Sequence, residues 1–164
     1  MTDRITIDVM VNGRAERLTA APHHSLVDVL REQIRLFGVR EGCGVGMCGA
    51  CTVLLDGKPV SGCLVLAPLA DGRDIVTVEG LESEQGDLDP IQESFIEHTA
   101  FQCSFCTPGF LLTAKTFLAE TTDVTAEEVR EHFGGNLCRC GSYSKIEAAI
   151  VAAATPARAS LPDH

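Results

Sequence analysis

Apolar residues alternate with other residues at Ile5, Ile7, Val9 and Val11, a period of two that predicts a strand with one buried face. Asn12-Gly13 follows, a dipeptide suited to a tight hairpin turn, so an antiparallel return is expected over 14–19. The period then changes. Leu26, Val29, Leu30, Ile34 and Phe37 recur at helical spacing, Ser25 with Asp28 supplies an N-cap and capping-box partner, and Gly38 fits the position just past a helix end. A strand over 52–55, an Asp56-Gly57 turn and a return over 58–60 come next, with Pro59 marking an edge. A last strand is expected over 75–78. Hairpin, helix, loop, hairpin and strand in roughly 80 residues predict an α+β arrangement of the β-grasp type, with a helix packed across a sheet.

The polar run from Glu79 to Asp89 breaks this pattern and reads as a linker. After it the apolar spacing is helical. Asp89-Pro90 opens a helix reaching about Thr99 with Ile91 and Phe95 on one face, and Thr107-Pro108 opens a second carrying Phe110, Leu111, Ala114, Phe117 and Leu118. Thr125 with Glu128 is a capping box for a short helix ending at Gly134-Gly135. Ser144 with Glu147 is another, for a helix through about Ala153. Four short helices predict a small four-helix bundle. The expected division is a first domain over 1–80, a linker over 81–89, a helical domain over 90–154 and a tail over 155–164.

The chain has 164 residues, so each half is small enough to need a staple beyond its apolar core. The net charge of −10 and the lack of a basic patch argue against nucleic acid as a partner. No apolar run approaches the roughly 20 residues of a transmembrane segment. Met1-Thr2-Asp3-Arg4-Ile5 begins without a signal-peptide core or twin arginine, so a cytoplasmic location is expected. That setting turns eight cysteines from a disulfide framework into candidate metal ligands.

Cys43, Cys48 and Cys51 lie at C-x4-C-x2-C spacing among Gly42, Gly44, Gly46 and Gly49, and Cys63 follows twelve residues after Cys51. Three thiolates so spaced, with a fourth from further along, suit a plant-type [2Fe–2S] cluster. The glycines permit the positive-φ turns of so tight a loop, and at Gly44, Gly46 and Gly49 they let backbone N–H groups approach the sulfurs. Cys103, Cys106, Cys138 and Cys140 form a second set at turns flanking the expected helices. Free amides near a helix start favour thiolate there. Structural zinc remains open for either set on spacing alone. Gly44–Gly49 also spells G-x-G-x-x-G, but it follows a helical pattern and precedes a strand, the reverse of a dinucleotide site. The histidines are scattered, and no hydrolase, zinc-protease or phosphate-loop motif is present. No apparatus for substrate chemistry is evident in this chain.

Glu-Gly-Cys-Gly-Val-Gly-Met-Cys-Gly-Ala-Cys-Thr-Val, then Gln-Cys-Ser-Phe-Cys-Thr-Pro-Gly and Gly-Asn-Leu-Cys-Arg-Cys, resemble the iron–sulfur small subunit of molybdenum hydroxylases. This is the xanthine dehydrogenase, aldehyde oxidoreductase and carbon monoxide dehydrogenase family. The resemblance implies two [2Fe–2S] clusters, one in a ferredoxin-like domain and one in a helical domain. It also implies a large partner subunit holding a molybdopterin-type cofactor, a medium subunit holding FAD, and a dimer of heterotrimers. By the same resemblance Gln102 hydrogen-bonds the pterin, Cys140 is the ligand facing it, and the C-terminal cluster lies nearer molybdenum. Two departures stand out: Ser104 where the family has glycine, and Gly141-Ser142-Tyr143 where it has Thr-Gly-Tyr. An independent soluble two-cluster ferredoxin is the alternative that the residues leave open.

Overall fold

Strands β1 (Ile5–Val11) and β2 (Arg14–Ala20) pair in register from Ile5↔Ala20 to Val11↔Arg14. Asn12 and Gly13 between them both take positive φ, 50° and 75°, as the two-residue hairpin requires. The structure is a computed structural model and describes residues 4–83, 85–121 and 124–154, so the expected tail over 155–164 lies outside it. Ile7, Val9 and Val11 are buried as the alternation predicts. Ile5 is not: it sits at the open end of the hairpin, beyond the pairing of β1 with β5, and is 39% exposed.

β3 (Thr52–Leu55) and β4 (Lys58–Ser61) form the second hairpin, and β5 (Asp74–Val76) runs parallel to β1 and antiparallel to β3. The sheet order is β2-β1-β5-β3-β4, which puts Pro59 on an edge strand where its missing N–H costs no ladder bond. Helix α1 (Leu26–Glu32) lays Leu26, Val27, Val29 and Leu30 onto Ile7, Val9, Leu18, Val53 and Ile75. Each such buried aliphatic contributes about 1.5–3 kcal/mol.

Two boundaries of this half differ from expectation. α1 stops at Glu32 rather than running to Phe37, because Arg35 turns left-handed at φ 58° and the Leu36 N–H reaches back to the Leu30 carbonyl at 3.0 Å. Gly38 is therefore no helix cap. Its N–H donates to Glu79 Oε1 at 2.6 Å, and a Cβ there would lie 2.3 Å from Val78 Cγ1. β5 ends at Val76, two residues short, because the buried Thr77 N–H is taken by Asn12 Oδ1 at 2.8 Å and the chain then coils into a 3-10 turn over Val78–Gly80.

Among the described residues the second half holds four α-helices: α2 (Pro90–Glu97), α3 (Thr107–Glu120), α4 (Ala126–His132) and α5 (Tyr143–Ala154). Capping boxes at Ser25–Asp28, Asp89–Gln92 and Thr125–Glu128 close in both directions. α5 touches α2, α3 and α4 over a core of Ile91, Phe95, Phe110, Phe133, Ile146 and Ile150, with Val78 and Leu81 packed against it. Phe110 and Phe133 stack with ring centroids 5.9 Å apart. The expected Ser144–Glu147 capping box does not form. α5 already begins at Tyr143, and the Glu147 carboxylate instead accepts from Arg130 Nε at 2.6 Å, tying α5 to α4. α3 reaches both halves, packing on β3 and β4 as well as on α2 and α5.

Candidate metal centres

Residues 41–51 connect the turn after α1 to β3 and carry three of the cysteines, with Cys51 buried just before the strand. The β3–β4 hairpin returns the chain so that Thr52 faces Ser61 and the Gly62 N–H donates to the Cys51 carbonyl at 3.2 Å. That pairing is why Cys63, twelve residues on, arrives beside Cys51. Gly44, Gly46 and Gly49 take positive φ as expected, whereas Gly42 does not. Gly42 serves close approach instead: a Cβ there would lie 3.0 Å from Cys48 Sγ. The freed amides point inward, with the N–H groups of Val45 and Met47 donating to Cys43 Sγ at 3.5 and 3.3 Å. These bonds pull the Cys43 thiol down to about 7, favouring the thiolate that a metal binds. Burial pushes the Cys51 thiol up to about 11.

In the helical half, Cys103 and Cys106 lie on the turn before α3, and Cys138 and Cys140 on the turn before α5. Cys106, not Thr107, precedes the first residue of α3, with Pro108 in that helix's first turn. The Phe105 N–H lowers the Cys103 thiol, and burial pushes Cys106 up to about 12. Burial opposes ionisation of Cys138 as well, but the Ser142 N–H and the neighbouring groups outweigh it and the thiol is lowered. The Cys138 N–H donates to the Tyr143 hydroxyl at 2.8 Å.

The thiols gather in two groups: Cys43 bears on Cys48 and Cys51 on Cys63 and Cys48, while Cys103 bears on Cys140 and Cys138 and Cys106 on Cys138 and Cys103. Four thiols per site suit two iron atoms, each held by two thiolates, in a [2Fe–2S] cluster.

The two sites adjoin through backbone contacts. The Leu137 N–H donates to the Cys48 carbonyl at 3.0 Å, and the Asn136 amide covers Gly49. Gly109 of α3 lies against Gly49, and the Arg40 guanidinium spans to the Ser104 carbonyl while stacking 5.7 Å over Phe105. Gln102 is exposed, and its Nε2 donates to the Cys140 carbonyl at 3.2 Å, so these two sequence-singled residues do meet. Arg40 lies in no motif, and Asn136, Leu137 and Tyr143 stand only as neighbours of cysteines in the quoted motifs, so the sequence assigns none of them a contact at these sites. Ser104 takes φ 60°, a left-handed conformation that glycine adopts more readily.

Two thiol-lined sites, one beside a five-stranded sheet and one among helices, define a two-centre iron–sulfur electron carrier. Residues 9–75 match the family described as "2Fe-2S iron-sulfur cluster binding domain" and residues 77–151 that described as "[2Fe-2S] binding domain". The chain is 46% identical over 148 residues to the nicotinate dehydrogenase small FeS subunit of Eubacterium barkeri, covering 90% of this chain and 94% of that one. It is 43% identical over 147 residues to the xanthine dehydrogenase iron-sulfur-binding subunit of Escherichia coli O157:H7, covering 88% and 91%. A chain in the crystal structure of quinoline 2-oxidoreductase from Pseudomonas putida 86 superposes with a TM-score of 0.88 at 44% identity, covering 92% and 94%. The aldehyde oxidoreductase of Desulfovibrio gigas superposes with a TM-score of 0.84 at 40% identity, covering 92% of this chain and 17% of that much longer one.

The chain belongs to the family of iron–sulfur small subunits of the molybdenum hydroxylases. It is an electron-transfer subunit of an oxidoreductase complex. Among the described residues no helix is long and apolar enough to cross a membrane.

Proposed function

We propose that Cys43, Cys48, Cys51 and Cys63 ligate one [2Fe–2S] cluster and Cys103, Cys106, Cys138 and Cys140 the other, and that the chain relays electrons from a molybdopterin-type cofactor on a large partner subunit towards FAD on a medium one. The gathering of four thiols at each of two sites, each inside a matched [2Fe–2S] domain, carries the reading. Each cluster, when bound, supplies a one-electron ferric/ferrous couple. The chain's own part is to hold the thiolates, to aim amides at their sulfurs and to keep the two sites joined. The Cys48 carbonyl, its hydrogen bond and the Leu137–Cys138 peptide form a short covalent and hydrogen-bonded link between a ligand of one site and a ligand of the other.

The relay runs from the C-terminal site to the N-terminal one. Gln102 supports this order: it is exposed, its amide has donor and acceptor capacity left for a pterin edge, and its Nε2 already holds the carbonyl of Cys140, the pterin-facing ligand. Val45, Met47 and Leu64, 60%, 70% and 61% exposed, give the N-terminal site an apolar rim suited to a covering partner subunit. A dimer of heterotrimers in the cytoplasm completes the assembly. The domains run over 1–80 and 90–154 with 81–89 between them, the first a β-grasp and the second a four-helix bundle. The sheet order and the contacts of α5 with three other helices support those two descriptions.

Iron analysis and EPR of the complex test the ligands. Four irons per chain and two reduced centres are expected, with Cys63→Ser erasing or altering one centre and Cys106→Ser the other. Zinc in place of iron, or both substitutions affecting the same centre, refutes the assignment. Rapid-freeze EPR after substrate addition tests the order, with Gln102→Ala slowing reduction of the C-terminal centre while both clusters stay assembled. Unchanged rates remove the role of Gln102.

A further inference from the structure

Ser142 lies between the last candidate ligand and α5. Its carbonyl accepts the N–H groups of Lys145 at 3.1 Å and Ile146 at 3.0 Å, so it holds the position immediately before the helix's first turn. A serine there ordinarily turns its hydroxyl onto the free amides of that turn. Ser25 and Thr125 do so at the starts of α1 and α4. Ser142 does not. It is 4% exposed, and its Oγ is buried with no hydrogen-bond partner among the described residues. Leaving a buried hydroxyl unpaired is unfavourable, so its orientation has a reason.

That reason lies in what the residue faces. The Ser142 N–H donates to Cys138 Sγ at 3.5 Å, and the hydroxyl stands beside the same sulfur but outside hydrogen-bonding geometry. A thiol is a weak acceptor, whereas the thiolates and sulfides of a bound cluster accept more strongly. The hydroxyl thus gains a strong acceptor only when the cluster is in place. Gly141, at φ 73°, supplies the turn that brings Ser142 to this point.

We infer that Ser142 is a potential-setting residue: with the cluster bound, its hydroxyl donates to Cys138 Sγ or to an adjacent sulfide and raises the reduction potential of the C-terminal centre. Reduction adds negative charge to the cluster, and a donor aimed at sulfur stabilises the reduced form more than the oxidised one. The inference rests on the assignment of Cys138 as a ligand of that centre.

An EPR-monitored redox titration of the intact complex tests it. In Ser142→Ala the midpoint of the C-terminal centre is expected to fall while that of the N-terminal centre stays put, and Ser142→Thr, which keeps the hydroxyl, restores it. Ser142→Gly removes the hydroxyl without adding volume and is a second route to the same downward shift. Resonance Raman in D2O adds an independent readout: the solvent-isotope shift of the iron–sulfur stretches is expected to diminish in Ser142→Ala relative to Ser142→Thr. Two intact centres with an unchanged C-terminal midpoint in both Ser142→Ala and Ser142→Gly overturn the inference alone. A wild-type complex with one centre overturns the ligand assignment as well.

Discussion

Gly109→Ala puts the joint between the two halves under direct strain. Gly109 lies in the first turn of α3, and a Cβ there would stand 2.0 Å from the Gly49 carbonyl oxygen, 3.0 Å from its carbon and 3.3 Å from Ala50 Cα. All three obstacles are backbone, so no side-chain rotation relieves them. The Gly49 carbonyl is also held, since it accepts the Thr52 hydroxyl at 2.8 Å. Reaching ordinary van der Waals contact requires α3 and the cysteine loop to part by roughly 1.4 Å, which forfeits dispersion across the joint. Alanine favours a helix over glycine by about 1 kcal/mol, which works the other way. Overpacking costs about 1–3 kcal/mol, and a clash of backbone against backbone belongs at the upper end. The net expectation is a loss of about 1–2 kcal/mol, or ~2–8 °C in melting temperature for a chain of this length. Thermal melts of the cluster-loaded chain, followed by far-UV and visible circular dichroism, read it. Gly134→Ala, which meets nothing within 4 Å, is the control and should melt with wild type. A melting temperature at or above wild type for Gly109→Ala refutes the reasoning.

Ser104→Gly relieves the φ of 60° at that position and is expected to stabilise the chain by about 1 kcal/mol; an unchanged or lower melting temperature counts against that strain. Asn12→Ala removes the acceptor of the buried Thr77 N–H, the donor to its hydroxyl at 3.0 Å and a residue that tolerates φ 50° better than alanine, for a loss of about 2–4 kcal/mol. A denaturant titration showing a loss under about 0.5 kcal/mol would remove Asn12 from that role. The Glu128 carboxyl is held below its ordinary 4.5 by the Thr125 N–H and then the Thr125 hydroxyl. Its contribution to the start of α4 is complete above that ordinary value and is lost as pH falls through the lowered one. Amide exchange in α4, corrected for intrinsic rates, should rise over that acid window in wild type and vary less in Glu128→Gln; equal pH profiles would contradict it.

Local signals proved readable wherever one short segment determines the outcome. Both hairpin turns, the β1 alternation and the capping residues Ser25, Asp89 and Thr125 depend on neighbours within a few positions, and each lies where the pattern puts it. The early end of α1 is a local left-handed turn at Arg35, but other misread positions are decided across the fold. Gly38 looks like a helix cap but is needed for the approach of Val78 and Glu79, and Glu147 looks like a capping partner but is drawn to Arg130. The same divide runs through the metal sites. Cysteine spacing groups the candidate ligands into two sets, but bringing each set together depends on the β3–β4 hairpin and on the turns before α3 and α5. The joint through Leu137, Asn136 and Gly109 leaves no trace in spacing, because its partners lie more than fifty positions away in the chain.

The bond from the Leu137 N–H to the Cys48 carbonyl also has a bearing on synthesis. A ribosome makes the Cys48 loop long before residue 137 emerges, at about 5–20 residues per second. During that interval the loop carries an acceptor whose protein donor does not yet exist, and Gly49 lacks both its Asn136 cover and the packing of Gly109. The contacts that join the first cysteine loop to the helical half are therefore complete only when that half is nearly finished. A chain truncated before Asn136 lacks both the Leu137 donor and the Asn136 cover, and leaves the Cys48 loop open on the face that the helical half would close.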